Sequence, residues 1–275
     1  MDAVLMLGLV ILSVIAGLIG SIFGLGGGII IVPVLTILYD MDAKAAAAVS
    51  LVAIIAISST TASSLVKNRV ANVRVGLRLE IGAAAGAIAG AVIALYMQSW
   101  LIAICFAAVL IYSAVYMILR PERIIANDPS DKENDYVYHD TRTGDDIGYS
   151  VRNLRTGTVG FVAAGITSAL SGVGGGTIKI PIMNVHMHMP VKAATATSSF
   201  VIGITALSGA AVYLLNGVLD EHIQTAAAVV IGAIAGSLIG LRILPKINAS
   251  SMRRYFSILL LFLASVMILN AGGFL

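Results

Sequence analysis

The sequence predicts an all-α integral membrane protein made of two homologous halves, and three observations support this. Of the 275 residues, 59% are hydrophobic and only 11% are charged, with a mean hydropathy of +0.98, whereas a soluble domain has about 25% charged residues. The apolar runs are long and lack the period-2 alternation of strands, which favours helices. The motif GLGGGIIIVP at 24–33 returns 148 residues later as GVGGGTIKIP at 172–181, which indicates a duplication.

Each half contains about five apolar segments, of which four are long and one is short. The segments lie at about 3–23, 29–39, 45–66, 79–97 and 100–119, and then at 156–171, 177–187, 193–215, 223–244 and 255–272. Eight of them are long enough to span a bilayer. The two that follow the glycine motifs have 11 residues each, and such a helix rises only about 16 Å through about 30 Å of hydrocarbon. They are predicted to be broken helices or re-entrant segments.

The distribution of basic residues favours five crossings in each half. In that arrangement 15 of the 17 Lys and Arg residues fall on one side of the membrane, as the positive-inside rule requires of the cytoplasmic side. Re-entrant short segments would instead place the basic clusters at 67–78 and 242–254 on opposite sides. An odd number of crossings makes the two halves inverted repeats, with both termini outside. The eight-span, re-entrant arrangement is the alternative.

Three regions follow from this division of the chain. Residues 1–119 form the first membrane repeat, 120–155 a polar loop in the cytoplasm, and 156–275 the second membrane repeat. Within the loop, tyrosine-containing apolar segments at 136–138 and 147–151 flank a turn-like stretch, which suggests a β-hairpin. A linker without regular structure is the alternative. The first apolar stretch is predicted to be a membrane helix rather than a cleaved signal peptide.

The two glycine clusters are predicted to bind an anion. Glycine destabilises a helix interior, and non-helical backbone inside a bilayer must be buried in protein or line a polar cavity. A helix that restarts there offers free N–H groups and the positive end of its dipole. A kink that only permits tight packing is the alternative. The predicted binding residues are Gly26, Gly27, Gly28, Gly174, Gly175 and Gly176, and the predicted hinges are Pro33 and Pro181.

Lys179 and several hydroxyl groups are predicted to complete this site. Lys179 occupies the place of Ile31 in the first motif, and a charge at such depth is expensive and functional by default; snorkelling to an interface is the alternative. Hydroxyl groups on the following long helices can coordinate an oxyanion, or can cap their own helices instead. They belong to Ser50, Thr195, Ser198 and Ser199.

Other charged residues are assigned to the ends of the pathway. Lys44 and Lys192 start the equivalent long helices, and they are predicted to act as gates that attract anions or, alternatively, as membrane-edge anchors. Glu80 lies two residues from Arg78 and is interpreted as an interfacial charge. Glycines at every fourth position, Gly82, Gly86 and Gly90 and their counterparts Gly232, Gly236 and Gly240, predict close helix packing.

Several classes of function are not expected. The single cysteine, Cys105, excludes an internal disulfide, and no Cys/His spacing for a metal is present, so we expect neither a metal nor a cofactor. The pI near 9.0 is explained by basic residues that flank membrane segments, so no nucleic-acid partner is expected. The expected partners are the lipid bilayer and a small anion, and a homo-oligomer is left open.

The paired motifs, each followed by a Lys-Ala-x-x-x-x-Ser helix start at 44–50 and 192–198, resemble those of the TauE/SafE family of membrane permeases. The resemblance covers essentially the whole chain. It implies a transporter in the cell membrane, not an enzyme, that moves a sulfur-containing anion such as sulfite or an organosulfonate, chiefly by export. An anion channel, a non-transporting scaffold and an intramembrane protease built on Ser171 are the alternatives.

The expected mechanism is alternating access of the two halves around an anion site at the midplane of the bilayer. Each exported negative charge gains about 2.3 kcal/mol per 100 mV of membrane potential, so export needs no coupling ion.

Overall fold

A computed structural model describes residues 3–119, 136–140 and 143–244 and, beyond them, positions 255, 258, 261, 262, 264 and 265. Most of the predicted segment 255–272 therefore lies outside the described residues, as do residues 120–135, 141 and 142 of the predicted loop at 120–155. The helices of the described part are α1 (Ala3–Phe23), α2 (Gly28–Pro33), α3 (Ala43–Lys67), α4 (Val73–Tyr96), α5 (Ser99–Leu119), α6 (Leu154–Ser171), α7 (Gly176–Pro181), α8 (Val191–Leu215) and α9 (Ile223–Ile243).

Among the described residues, five helices are long and apolar enough to cross a membrane. They are Leu5–Phe23, Ala43–Lys67, Val73–Tyr96, Val191–Leu215 and Asp220–Ile243. Many of their large apolar side chains are exposed, which in water would be an aggregation hazard. The chain is therefore an all-α, multi-pass membrane protein.

The short helices α2 and α7 both pass into a π-helical turn directly after a proline. The turns are Val34–Leu38 and Ile182–His186, and they follow Pro33 and Pro181. Proline has no N–H to close the α-helical hydrogen bond, and a wider turn accommodates the gap. Each proline thus marks a change in helix type.

Helix α2 doubles back along α1 towards the end at which α1 begins. The hydroxyl of Tyr39, just after the π-helical turn, donates a hydrogen bond of 2.7 Å to the carbonyl of Leu5. In the second half, the side chain of Asn153 donates one of 3.0 Å to the carbonyl of His186. Each half therefore begins with a long helix and a short antiparallel return.

The equivalent helices α3 and α8 pack against each other in antiparallel directions at the centre. Ser58 on α3 donates a 2.8 Å hydrogen bond to the carbonyl of Ser199 near the start of α8. Leu51, near the start of α3, lies against Gly209 near the end of α8. The contact between the two halves therefore runs along the length of these two helices.

The glycine stripes of α4 and α9 pack onto the first helix of the opposite half. A Cβ atom at Gly86 would lie 2.2 Å from the carbonyl oxygen of Val162 on α6, and one at Gly236 would lie 1.9 Å from that of Val14 on α1. Only glycine permits backbones to approach so closely. The predicted role of the stripes in helix packing is confirmed.

A β-hairpin covers one end of the helix bundle. Strands β1 (Tyr136–His139) and β2 (Asp146–Tyr149) are antiparallel. Asn72, at the start of α4, donates a 2.8 Å hydrogen bond to the hydroxyl of Tyr149. Burial raises the pKa of Tyr149 to about 12, although the bond from Asn72 opposes the rise. The tyrosine therefore stays neutral at physiological pH and holds the hairpin against the helices.

Candidate functional site

The centre of the molecule forms where α1 and α6 end. Each helix is followed by a glycine in the left-handed region, Gly24 with φ of +69° and Gly172 with φ of +70°. A side chain is strained in this conformation, whereas glycine is not. The chain then reverses direction through a second glycine pair before α2 and α7 begin, so that each half contains a break in its helical backbone.

The serine of one half holds the break of the other. Ser50 on α3 donates a 2.6 Å hydrogen bond to the carbonyl of Gly172, and Ser198 on α8 donates one of 2.9 Å to the carbonyl of Gly24. Both side chains are completely buried. These reciprocal bonds satisfy the carbonyls at the helix ends, which have no partner within a helix, and they fix the two breaks side by side.

The first residues of the short helices touch the opposite break. A Cβ atom on Gly28 would lie 2.3 Å from the carbonyl oxygen of Gly172, and one on Gly176 would lie 2.5 Å from that of Gly24. Ile54 and Ile202, which are equivalent in the two halves, pack on Gly26 and Gly174. The predicted glycines therefore meet in one buried centre.

Two hydroxyl groups beside the breaks have no hydrogen-bond partner among the described residues. They belong to Ser168 and Ser199, which are buried. The Ser199 oxygen lies 3.2 Å from the position of a Cβ on Gly24, and the Cβ of Ser168 lies 3.2 Å from that of a Cβ on Gly175. A buried polar group without a partner costs about 1–3 kcal/mol. These two hydroxyls are therefore available to a ligand at the breaks.

Thr195 joins this centre, and Ser168 was missed by the sequence analysis. The carbonyl and methyl groups of Thr195 both contact the Gly24 position, and the residue is 3% exposed. Ser168 stands where the first half has Gly20, and this departure from the repeat was the available signal. The predicted hydroxyl residues Ser50, Thr195, Ser198 and Ser199 thus all lie around the two breaks.

Lys179 lies one turn beyond Gly175 and forms a buried ion pair. Its ammonium is 2.8 Å from the carboxylate of Glu80 on α4, it donates a hydrogen bond to the hydroxyl of Thr205 on α8, and it lies 5.5 Å from the centre of the Phe161 ring. Thr205 in turn donates to Glu80. The lysine is fully buried and Glu80 is 2% exposed. The interpretation of Glu80 as an interfacial charge was therefore wrong.

At the positions that the repeat relates to these three residues, the chain has aliphatic side chains. Lys179 corresponds to Ile31, Thr205 to Ile57 and Glu80 to Val230. Ile31 and Ile57 are buried in the hydrophobic core. Since the repeat-related helices pack there without charges, the fold does not require the ion pair. The cluster of Glu80 from the first half with Lys179 and Thr205 from the second is therefore a departure from the repeat.

The two predicted gate lysines both have partners at the ends of helices. Lys44 donates a 3.1 Å hydrogen bond to the carbonyl of Leu95, at the end of α4, where the helix dipole favours a positive charge. Lys192 bonds to both carboxylate oxygens of Asp140, at 2.8 and 2.9 Å. Asp140 directly follows strand β1, so this ion pair links the hairpin to the start of α8.

Comparison with known proteins gives a family. The sequence profile described as "Sulfite exporter TauE/SafE" matches residues 9–267. The chain is similar to the "Probable membrane transporter protein YunE" of Bacillus subtilis (strain 168), with 28% identity over 272 residues that cover 94% of this chain and 96% of that protein. It is 27% identical over 268 residues to the "Probable membrane transporter protein MJ0441" of Methanocaldococcus jannaschii, covering 92% and 91% of the two chains. No solved structure matches.

Proposed function

The chain belongs to the sulfite exporter TauE/SafE family, and on this premise we propose that it exports a small sulfur-containing anion, such as sulfite or an organosulfonate. Its relatives are named as membrane transporters, and its long apolar helices suit a multi-pass protein of the cell membrane. The substrate and the direction come from the family description. The site is argued from the residues at the two breaks.

The unpaired hydroxyls of Ser168 and Ser199 are the observation that favours an anion site at the breaks. Hydroxyl groups donate to an oxyanion without adding a buried charge. The same region contains the starts of α2 and α7, whose first N–H groups have no partner within the helix. Together with Gly26–Gly28, Gly174–Gly176 and Thr195, and with Lys179 as the nearby cation, these groups form the proposed site for a tetrahedral or pyramidal oxyanion. The hydroxyls of Ser50 and Ser198 donate to the carbonyls of Gly172 and Gly24, and they hold the two breaks of this site in place.

We further propose that the halves are inverted repeats. The equivalent helices α3 and α8 are antiparallel, which is the relation that an inverted repeat requires, and transporters built in this way bind substrate at the repeat interface. The hairpin contacts the connection before α4 through the carbonyl of Arg69 and contacts α8 through Lys192. These basic residues support a cytoplasmic position for the hairpin. The start of α1, beside Tyr39, then lies outside.

Alternating access supplies the route to this site. The serines and glycines at the breaks are buried from both ends of the molecule, so substrate entry and release require a movement. The π-helical turns after Pro33 and Pro181 are the proposed hinges, because they interrupt regular α-helical bonding close to the site. Lys44 and Lys192 remain gate candidates. The bond of Lys44 to the carbonyl of Leu95 and the bond of Lys192 to Asp140 lie at opposite ends of the helices, and they would open in turn.

Transport in proteoliposomes tests the proposal. We expect saturable flux of at least one anion from a panel of sulfite, methanesulfonate, sulfoacetate, thiosulfate, sulfate, taurine and chloride. Ser199→Ala removes a hydrogen bond to a charged ligand, worth about 1.5–3 kcal/mol, and should lower kcat/KM about ten-fold or more. Ser208→Ala is the matched control, since Ser208 lies on the same helix, is partly exposed and in the described structure donates only to the backbone carbonyl of Ile204.

Three other results would contradict the proposal. Equal transport by the Ser199→Ala and Ser208→Ala variants would place the site elsewhere. Flux that does not saturate would favour an anion channel, and the absence of flux for every anion of the panel would favour a non-transporting scaffold.

A further inference from the structure

We infer that Glu80 is the proton-binding site of an anion–proton symporter, in which the proton on Glu80 and the anion bound at the breaks move together. This inference rests on the proposed function and adds its coupling ion. The pair of Lys179 and Glu80 has no net charge while both groups are ionised. Glu80 is then the counter-ion of Lys179. A transported anion can become the counter-ion of Lys179 only if Glu80 loses its negative charge.

The surroundings of Glu80 leave protonation as the way to release the lysine. Among the described residues, Glu80 faces the ammonium of Lys179 from α7 and the hydroxyl of Thr205 from α8, and α6 contributes the ring of Phe161 beside the lysine. Arg78, on the same helix as Glu80, is exposed. With so few polar partners, a second negative charge next to an ionised Glu80 would be strongly unfavourable.

The pair is close enough to the breaks to respond to an anion bound there. Ser198, Ile202 and Thr205 lie on one face of α8, at spacings of four and three residues. Ser198 holds the break at Gly24, Ile202 packs on the glycines, and Thr205 bonds to the ion pair. Along a helix the seven steps from Ser198 to Thr205 span about 10 Å. The backbone N–H of Lys179 also bonds to the carbonyl of Gly175.

The aliphatic residues at the repeat-related positions argue against a purely structural role. Replacing a buried ion pair by apolar residues of similar size is often neutral or stabilising, and the repeat contains such a replacement, with Ile31 and Ile57 in the first half and Val230 in the second. The two ionised groups must therefore be retained for something other than stability. Ionisable residues within a membrane commonly form proton relays.

The charges balance in both states of the proposed cycle. In the empty carrier, Lys179 is cationic and Glu80 is anionic, so the site is neutral. A proton then adds to the Glu80 carboxylate, the ionic contact is lost, and a monoanion bound at the breaks supplies the negative charge that balances the ammonium, so the loaded site is neutral as well. One proton accompanies each monovalent anion, and no net charge crosses the membrane. Export proceeds whenever the outward gradient of the anion exceeds the inward gradient of protons.

Methanesulfonate and sulfite are the probes for the test, in proteoliposomes that contain a trapped pH indicator. Methanesulfonate stays ionised at every pH used, so it cannot carry the proton itself. We expect an imposed pH gradient to drive methanesulfonate flux through the wild-type protein, with one proton moved per anion. An imposed voltage should not change this flux. In Glu80→Gln the loaded site stays neutral and the empty site becomes positive. This variant should move methanesulfonate in response to voltage, without protons.

The outcomes separate the inference from the proposed function. Wild-type flux that follows voltage and moves no protons would overturn the inference and leave the transporter intact, even if Glu80→Gln does not fold. Flux of neither methanesulfonate nor sulfite would overturn the inference, and the absence of flux for every anion of the panel would overturn the proposed function as well. The triple variant Lys179→Ile, Thr205→Ile, Glu80→Val, which copies the residues at the repeat-related positions, is the control without the ion pair and should show no proton-coupled flux.

Discussion

Replacing Gly28 by alanine is expected to separate the two breaks and to abolish transport. The new methyl carbon would lie 2.3 Å from the carbonyl oxygen of Gly172 and 2.6 Å from the Ser50 hydroxyl, so the bond between Ser50 and Gly172 cannot keep its geometry. Overpacking of this kind costs about 1–3 kcal/mol of unfolding free energy. We expect a lower Tm in detergent and at least a ten-fold loss of sulfite flux.

Gly8→Ala is the matched control for this substitution. Gly8 is also a glycine within an apolar helical segment, but the nearest atom to its added Cβ is the Tyr39 hydroxyl oxygen at 3.5 Å, an ordinary contact. The alanine should keep both stability and transport, because it is also the better helix former. Equal flux in Gly28→Ala and Gly8→Ala would mean that the close contact between the breaks has no part in transport.

Replacing Lys179 alone by isoleucine is expected to destabilise the protein strongly. Glu80 would remain buried without its counter-ion, and breaking a buried pair in this way typically costs 3–5 kcal/mol, whereas apolar replacement of the whole pair is often neutral. The triple variant Lys179→Ile, Thr205→Ile, Glu80→Val should therefore recover most of the stability lost in the single variant. Thermal unfolding in detergent measures both.

Transport should separate from stability in this pair of variants. Both lack the cation of the site, so neither should transport sulfite, although the triple variant is stable. A single variant that is as stable as the triple variant would contradict the buried ion pair. A triple variant that transports like the wild type would remove Lys179 from the site.

The helix ends around the breaks could be predicted because local physics determines them. An apolar helix continues until it reaches a polar or glycine-rich segment. The helices α1 and α6 end at Phe23 and Ser171, directly before the glycine motifs. The duplication made the prediction stronger, since two independent stretches had to satisfy the same constraint. The location of the two motifs at one buried centre, by contrast, became visible only in three dimensions.

The ion pair of Glu80 and Lys179 could not be predicted from local sequence. The two residues are 99 positions apart and belong to different halves, so neither spacing nor periodicity relates them. A signal was nevertheless present. Glu80 and Lys179 are charged residues at positions where the repeat has the aliphatic residues Val230 and Ile31. Two opposite charges that both depart from the repeat in this way are candidates for an ion pair. Interpreting Glu80 from its neighbour Arg78 overlooked this comparison.

Counterflow in proteoliposomes tests most directly that this protein is a carrier with one central anion site. Vesicles that contain a high concentration of unlabelled sulfite are diluted into a trace of labelled sulfite, without a voltage or a pH gradient. A carrier that exposes its site alternately must exchange internal for external anion, so the label should accumulate transiently above its equilibrium level. Gly28→Ala should lack this overshoot. A monotonic approach of the label to equilibrium in the wild type would contradict alternating access and indicate a channel.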